Sequence, residues 1–167
     1  MRETERLHEG EPMGASVHGR AKPRQRILVV DDESDIRLLY TNALAHPGCR
    51  VDTAADGAAG WEALQANKYN LLITEHCLPR LTGIDLVRKL RAARMDVPVV
   101  MTAVRLPSQE LILDPSLQLA AVLSKPFYIS QLLETVKAVL CATNSPREPI
   151  EPLPVWRNWP SASGLRL

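Results

Sequence analysis

Aromatic residues are scarce in this chain, at 4% of 167 residues, with a single phenylalanine. The core must therefore be built from aliphatic side chains. Cysteine is sparse as well. Cys49, Cys77 and Cys141 are odd in number, far apart and without C-x-x-C spacing, which argues against a disulfide framework or a zinc site and fits reduced thiols. An excess of one charge is also missing, because 20 Lys and Arg face 19 Asp and Glu, for a formal net charge of +1. That balance disfavours an overall electrostatic grip on nucleic acid or anionic lipid, so neither is expected as a partner. No apolar run approaches the roughly 18 residues of a membrane span, and the charged N-terminus lacks the apolar stretch of a signal peptide. The expectation is a soluble, cytoplasmic chain with one domain and some tail.

What is present divides into three parts. Residues 1–25 mix charges with Gly, Pro and Ser without a sustained period and read as a disordered leader, its end carrying Arg20, Lys22 and Arg24, with Arg26 directly after it. Residues 143–167 contain Pro146, Pro149, Pro152, Pro154 and Pro160, which forbid a regular helix or central strand, together with Trp156 and Trp159. Such a tail can dock on its own domain, on a second copy or on a partner, or stay loosely packed.

Between them, at 26–142, short apolar runs alternate with helical patterns. Ile27-Leu28-Val29-Val30 is continuous, as in a strand covered on both faces. Ile36, Leu39, Tyr40, Ala43 and Leu44 follow at helical spacing, stopped by Pro47-Gly48. Val51 to Ala54 is a short strand closed by Asp56-Gly57, and Ala58 to Ala66 a helix facing inward with Trp61 and Leu64. Leu71-Leu72-Ile73 is the third strand. Thr82 can N-cap a helix with Asp85 in its first turn, and Ile84, Val87 and Leu90 or Arg91 mark that helix's face and end. Val97 to Met101 is a fourth strand, with Pro98 near its start, and Leu119 to Leu123 a fifth. Ile129, Leu132, Leu133, Val136, Val139 and Leu140 give a strongly amphipathic last helix. Pro107 and Pro115 confine the expected fourth helix to about two turns, so that segment is short or irregular. Five β-α units imply a doubly wound α/β fold with a parallel sheet, whose ligands bind outside the carboxyl ends of the strands.

Polar groups collect at those ends. Asp31 and Asp32 follow the first strand, Glu75 the third after Thr74, Thr102 closes the fourth, and Lys125 follows the fifth. Two carboxylates about 4 Å apart repel by roughly 4 kcal/mol at an effective dielectric near 20, so three acids need a cation, a protonated member, or both. Lys125 supplies one positive charge. Mg²⁺ accepts one or two protein carboxylates and keeps waters, which suits an Asp31-Asp32 seat. One member of that pair could instead cap the following helix.

The stretches Ile27 to Glu33, Ala55-Asp56-Gly57, Leu78-Pro79 with Gly83, Pro98-Val99-Val100 with Thr102-Ala103, and Lys125-Pro126-Phe127 resemble the receiver domain of bacterial two-component response regulators. The resemblance spans the inner domain, and the order and spacing of the set make it specific. It implies a flavodoxin-like fold with strand order 2-1-3-4-5, five helices and commonly a cis bond before the proline of the Lys-Pro pair. It further implies Mg²⁺ on Asp31 and Asp32, a phosphoryl group received from a histidine kinase after the third strand, and Thr102 and Lys125 as its ligands.

Three positions depart from the family. The acceptor position holds Glu75 rather than Asp. Its extra methylene moves the carboxylate about one bond length, and in-line phosphoryl transfer loses about a hundredfold for errors near 1 Å. The same length brings it within reach of Lys125 or Thr102 as a partial mimic of the phosphorylated state. The aromatic switch position on the fifth strand is Val122, which has no ring to swing. The Pro107 to Leu117 segment, part of the family's signalling surface, is rebuilt. His76 reads as a loop residue facing away from Glu75.

The expected function is therefore a receiver-type docking module, not an enzyme, in which conventional phosphorylation is lost or impaired. An acceptor function for Glu75 is the alternative. A Mg²⁺-dependent phosphohydrolase is a remote one, since the two acids are adjacent and no cap-sized insertion follows them. Without a DNA-binding segment after Cys141, output would pass to a histidine kinase or other signalling protein. A homodimer could form through the face made by the fourth helix, fifth strand and last helix.

Overall fold

Five strands and four helices form within residues 25–45, 49–104 and 114–143, the parts described by the computed structural model. In chain order they are β1 (Gln25–Val30), α1 (Ser34–Leu44), β2 (Cys49–Ala54), α2 (Gly57–Ala66), β3 (Leu71–Glu75), α3 (Gly83–Ala92), β4 (Val99–Ala103), β5 (Leu119–Ser124) and α4 (Ile129–Thr143). The strands pair in parallel in the order β2-β1-β3-β4-β5. This is the flavodoxin-like arrangement expected. The leader, the Pro47-Gly48 stop, most of the Pro107 to Leu117 segment with its expected fourth helix, and the tail from Asn144 lie outside the described residues.

Successive side chains on a strand point to opposite faces, and the continuous apolar run of β1 feeds both. Leu28 and Val30 join Leu64 of α2 and Ile84, Leu86, Val87 and Leu90 of α3 on one face. Ile27 and Val29 join Tyr40 and Leu44 of α1 and Leu132, Val136 and Val139 of α4 on the other. Each fully buried aliphatic side chain contributes about 1.5–3 kcal/mol relative to exposure, so the two layers bind the helices to the sheet from both sides.

Local chemistry sets the element ends. Thr82 caps α3 as expected, its Oγ1 accepting from Asp85 N at 3.2 Å. Asp56 caps α2 by accepting from Ala59 N at 2.9 Å, and α2 begins at Gly57, one residue before the predicted start. The first strand starts two residues before the expected Ile27, at Gln25 inside the expected leader, and β2 starts at Cys49 instead of Val51. The fourth strand is shifted toward its C-terminus, running from Val99 to Ala103. Pro98 has no N–H to give the ladder, though its carbonyl still accepts from Leu72 N at 3.0 Å. Two expected core positions are wrong: Leu39 is 48% exposed and Leu133 37%. In each helix a neighbouring residue, Tyr40 or Leu132, takes the inward direction.

Arg91 does more than end α3. Its guanidinium donates to the carbonyls of Met95, Val97, Leu117 and Gln118 at 2.8–3.1 Å, and burial lowers its pKa. It ties the end of α3 to the start of β5.

The β3–α3 loop is pressed against the sheet at Gly83, where an added Cβ would overlap the Glu75 carbonyl oxygen. The Gly83 N–H donates to His76 O at 2.9 Å, so the loop cannot simply step back. Gly83→Ala is expected to lower stability by about 2 kcal/mol, within the range for overpacking, read as a reduced urea midpoint at unchanged slope.

Candidate functional site

A parallel sheet aligns the carboxyl ends of its strands on one edge, and the order β1-β3-β4-β5 makes the ends carrying Asp31, Glu75, Thr102 and Lys125 adjacent. Glu75 is the last residue of β3 and pairs with Thr102, which lies inside β4 and not at its close. His76 N continues the ladder by donating to Thr102 O at 2.8 Å. Lys125 follows β5 and donates its own N–H to Ala103 O at 2.8 Å; the Lys125–Pro126 peptide is cis.

Two of these side chains, Lys125 and Thr102, converge on one Glu75 carboxylate oxygen, and Asp31 joins them through Lys125. Lys125 Nζ lies 2.6 Å from Glu75 Oε2 and 3.1 Å from Asp31 Oδ2. Thr102 Oγ1 donates to the same Glu75 Oε2 at 3.0 Å. Asp31, Glu75 and Thr102 are 1%, 4% and 0% exposed, so these charge-assisted bonds act where water screens little. Burial alone pulls the Lys125 pKa down, but hydrogen bonds and charge from Glu75 and Asp31 outweigh it and raise the value well above the ordinary lysine range.

The expected three-acid cluster is thereby split. Asp31 and Glu75 share Lys125, whereas Asp32 is exposed. Among the described residues no group of three His, Cys, Asp or Glu side chains converges as a metal site. Val122 is half-buried and packs on the core layer containing Leu72 and Met101. His76 is half-buried, with Nδ1 3.2 Å from Cys77 Sγ.

Neighbours that the sequence did not mark complete the setting. Asp31 Oδ1 accepts from Glu33 N at 3.0 Å. Arg37 Nη1 donates to the carbonyls of Asp31 and Asp32 at 2.8 and 3.0 Å. Tyr40, nearly buried, stacks on Phe127 with centroids 6.3 Å apart, behind the loop that carries Lys125. Burial first, then the balance of Lys125 against the Asp31 and Glu75 charges, pushes the Tyr40 hydroxyl up to about 12. Asp56 forms an ion pair with Arg80 that ties the β2–α2 turn to the β3–α3 loop. Arg37 reads in sequence only as a polar helix residue, and nothing in the spacing signals its carbonyl contacts.

Comparison with known proteins decides the family. The profile of the response regulator receiver domain matches residues 27–137, from β1 into α4. The chain belongs to this family. As a two-component receiver domain it is similar to the "Transcriptional regulatory protein PrrA" of Mycobacterium tuberculosis, 33% identical over 115 residues covering 69% of this chain and 49% of that protein. It is also similar to the "Response regulator MprA" of Mycobacterium sp. strain KMS, 29% identical over 127 residues covering 76% of this chain and 55% of the relative. The chain thus spans about half the length of these curated relatives. Among solved receivers, the chemotaxis response regulator CheY4 of Vibrio cholerae superposes with a TM-score of 0.63 at 26% identity, covering 69% of this chain and 98% of that one. The response regulator TrrA of Thermotoga maritima, solved in complex with Mg²⁺-BeF, gives 0.60 at 28% identity over the same shares.

Proposed function

We propose that this receiver domain signals by protein–protein contact without a conventional phosphorylation cycle. The observation that carries this reading is the Glu75 carboxylate bound at once by Lys125 Nζ at 2.6 Å and by Thr102 Oγ1 at 3.0 Å. In the resembling family these two side chains hold phosphoryl oxygens. Here the acceptor-position residue itself occupies both, from a side chain too long for in-line attack by about one bond length. Lys125 and Thr102 are drawn inward by a permanent carboxylate, and Val122 supplies no aromatic ring to follow. The domain then rests in one conformation, and its output is the partner that this conformation fits. That partner is a histidine kinase or another signalling protein, or a second copy through the face of β5 and α4. The module is not an enzyme, and exposed Cys77 outside any disulfide suits the reducing cytoplasm.

The donor chemistry at the pocket fits Mg²⁺, since Asp31 and Asp32 offer hard carboxylate oxygens and Asp32 is open to solvent. Those two residues would hold the ion, which supplies positive charge to the acidic edge when bound. Lys125 offsets one of the two negative charges of Asp31 and Glu75, so the pocket keeps an excess of negative charge that a cation on the Asp31–Asp32 edge would offset.

Incubating the protein with acetyl phosphate and Mg²⁺, then weighing it intact, tests the proposal. Unmodified mass over hours is the expected result. Stoichiometric phosphorylation at Glu75 would instead establish the second reading, which is favoured by the survival of Asp31, Asp32, Thr102 and Lys125 together.

A further inference from the structure

The turn that carries Asp31 and Asp32 is held by a residue from the following helix. Arg37 reaches back from α1, and one nitrogen of its guanidinium donates to two successive carbonyls, Asp31 O at 2.8 Å and Asp32 O at 3.0 Å. These carbonyls belong to the two residues whose carboxylates form the proposed cation seat. The Asp31 carboxylate is fixed separately, by Lys125 Nζ at 3.1 Å and Glu33 N at 3.0 Å. Asp32 is exposed, and its backbone is anchored to that of Asp31 through the shared guanidinium nitrogen.

Charge and geometry make opposite demands on Arg37. A fixed positive charge beside a cation seat repels the cation, so on charge alone its removal would strengthen metal binding. A single guanidinium nitrogen that donates to two successive backbone carbonyls does the reverse: it keeps the turn from rearranging and spares the ion the cost of ordering it. Groups that orient metal ligands from behind typically matter by 10–100-fold in affinity. We infer that Arg37 is a positioning residue that locks the Asp31–Asp32 turn in the form from which both carboxylates serve a divalent cation. The inference rests on reading that pair as a Mg²⁺ seat.

The test uses the full chain as wild type, Arg37→Met and Arg37→Lys. Mg²⁺ titrations followed by backbone amide NMR give affinity, and amide hydrogen exchange at Glu33 without Mg²⁺ reports the turn itself. Arg37→Met is expected to bind Mg²⁺ about tenfold more weakly, against the direction that charge loss predicts, and to exchange the Glu33 amide faster. Arg37→Lys keeps the charge on a shorter side chain that reaches the two carbonyls less well, and is expected to fall between. Arg37→Met binding Mg²⁺ as tightly as wild type or more so, with Glu33 exchange unchanged, overturns the assignment. A wild-type chain with no saturable Mg²⁺ response overturns the seat and the assignment with it. That failure is told apart from failure of Arg37 alone, in which wild type and variant bind alike.

Discussion

Glu75→Asp is expected to become phosphorylated by acetyl phosphate and Mg²⁺ at a rate about a hundredfold above wild type, the scale on which a 1 Å misplacement is felt in positioned reactions. The shorter side chain withdraws its carboxylate from Lys125 and Thr102, which now hold it at 2.6 and 3.0 Å. Those two groups are then available to an incoming phosphoryl group, with Asp31 and Asp32 unchanged. Intact mass against time measures the gain, and peptide mapping locates it. If Glu75→Asp stays unmodified, Glu75 is not what blocks phosphorylation, and attention moves to the Asp31–Asp32 edge. If wild type and variant react equally fast, the long carboxylate is an adequate acceptor and the proposed function fails.

Lys125→Met should be the most destabilising single change in the pocket. Its ammonium is the shared partner of two carboxylates exposed by only 1% and 4%. Removing it leaves both buried beside each other without compensation, and breaking a buried ion pair from one side costs about 3–5 kcal/mol. Loss of that order is a large share of the stability of a domain this size and should be plain in urea denaturation. Lys125→Met combined with Glu75→Gln removes one of the stranded charges and is expected to recover part of the loss. Equal stabilities for the single and double variants would mean that Glu75 and Lys125 are not energetically coupled.

The sheet and the pocket were legible in sequence for the same reason. Strands buried on both faces appear as unbroken apolar runs, and the polar residue that ends each run marks the sheet's functional edge, so Asp31, Glu75 and Lys125 could be placed by counting. Periodicity was less informative for helices. It groups residues onto a broad face without saying which side chain points to the centre, and Leu39 and Leu133 were therefore grouped with Tyr40 and Leu132, which alone of each pair are buried. Long-range partners of polar residues left no pattern at all. Arg91 read as a helix end and Arg37 as a polar surface position, because a guanidinium bonded to carbonyls looks the same in sequence as one bonded to water. The position of the Glu75 carboxylate was foreseen only as a reach, and the simultaneous contacts with Lys125 and Thr102 needed the structure.

The two-layer core has a consequence for biosynthesis. The face formed by Ile27, Val29, Leu71, Ile73 and Val100 is covered by α1 and by Leu132, Val136 and Val139 of α4. The chain emerges from its N-terminus, so the side closed by α2 and α3 can be complete while the opposite side still waits for its last helix. Until residues 129–143 leave the ribosome, a stripe of aliphatic surface stands open on a nearly finished sheet. A nascent chain stalled ahead of Ile129 is thus expected to leave that stripe exposed, and one extended to Thr143 carries the side chains that cover it.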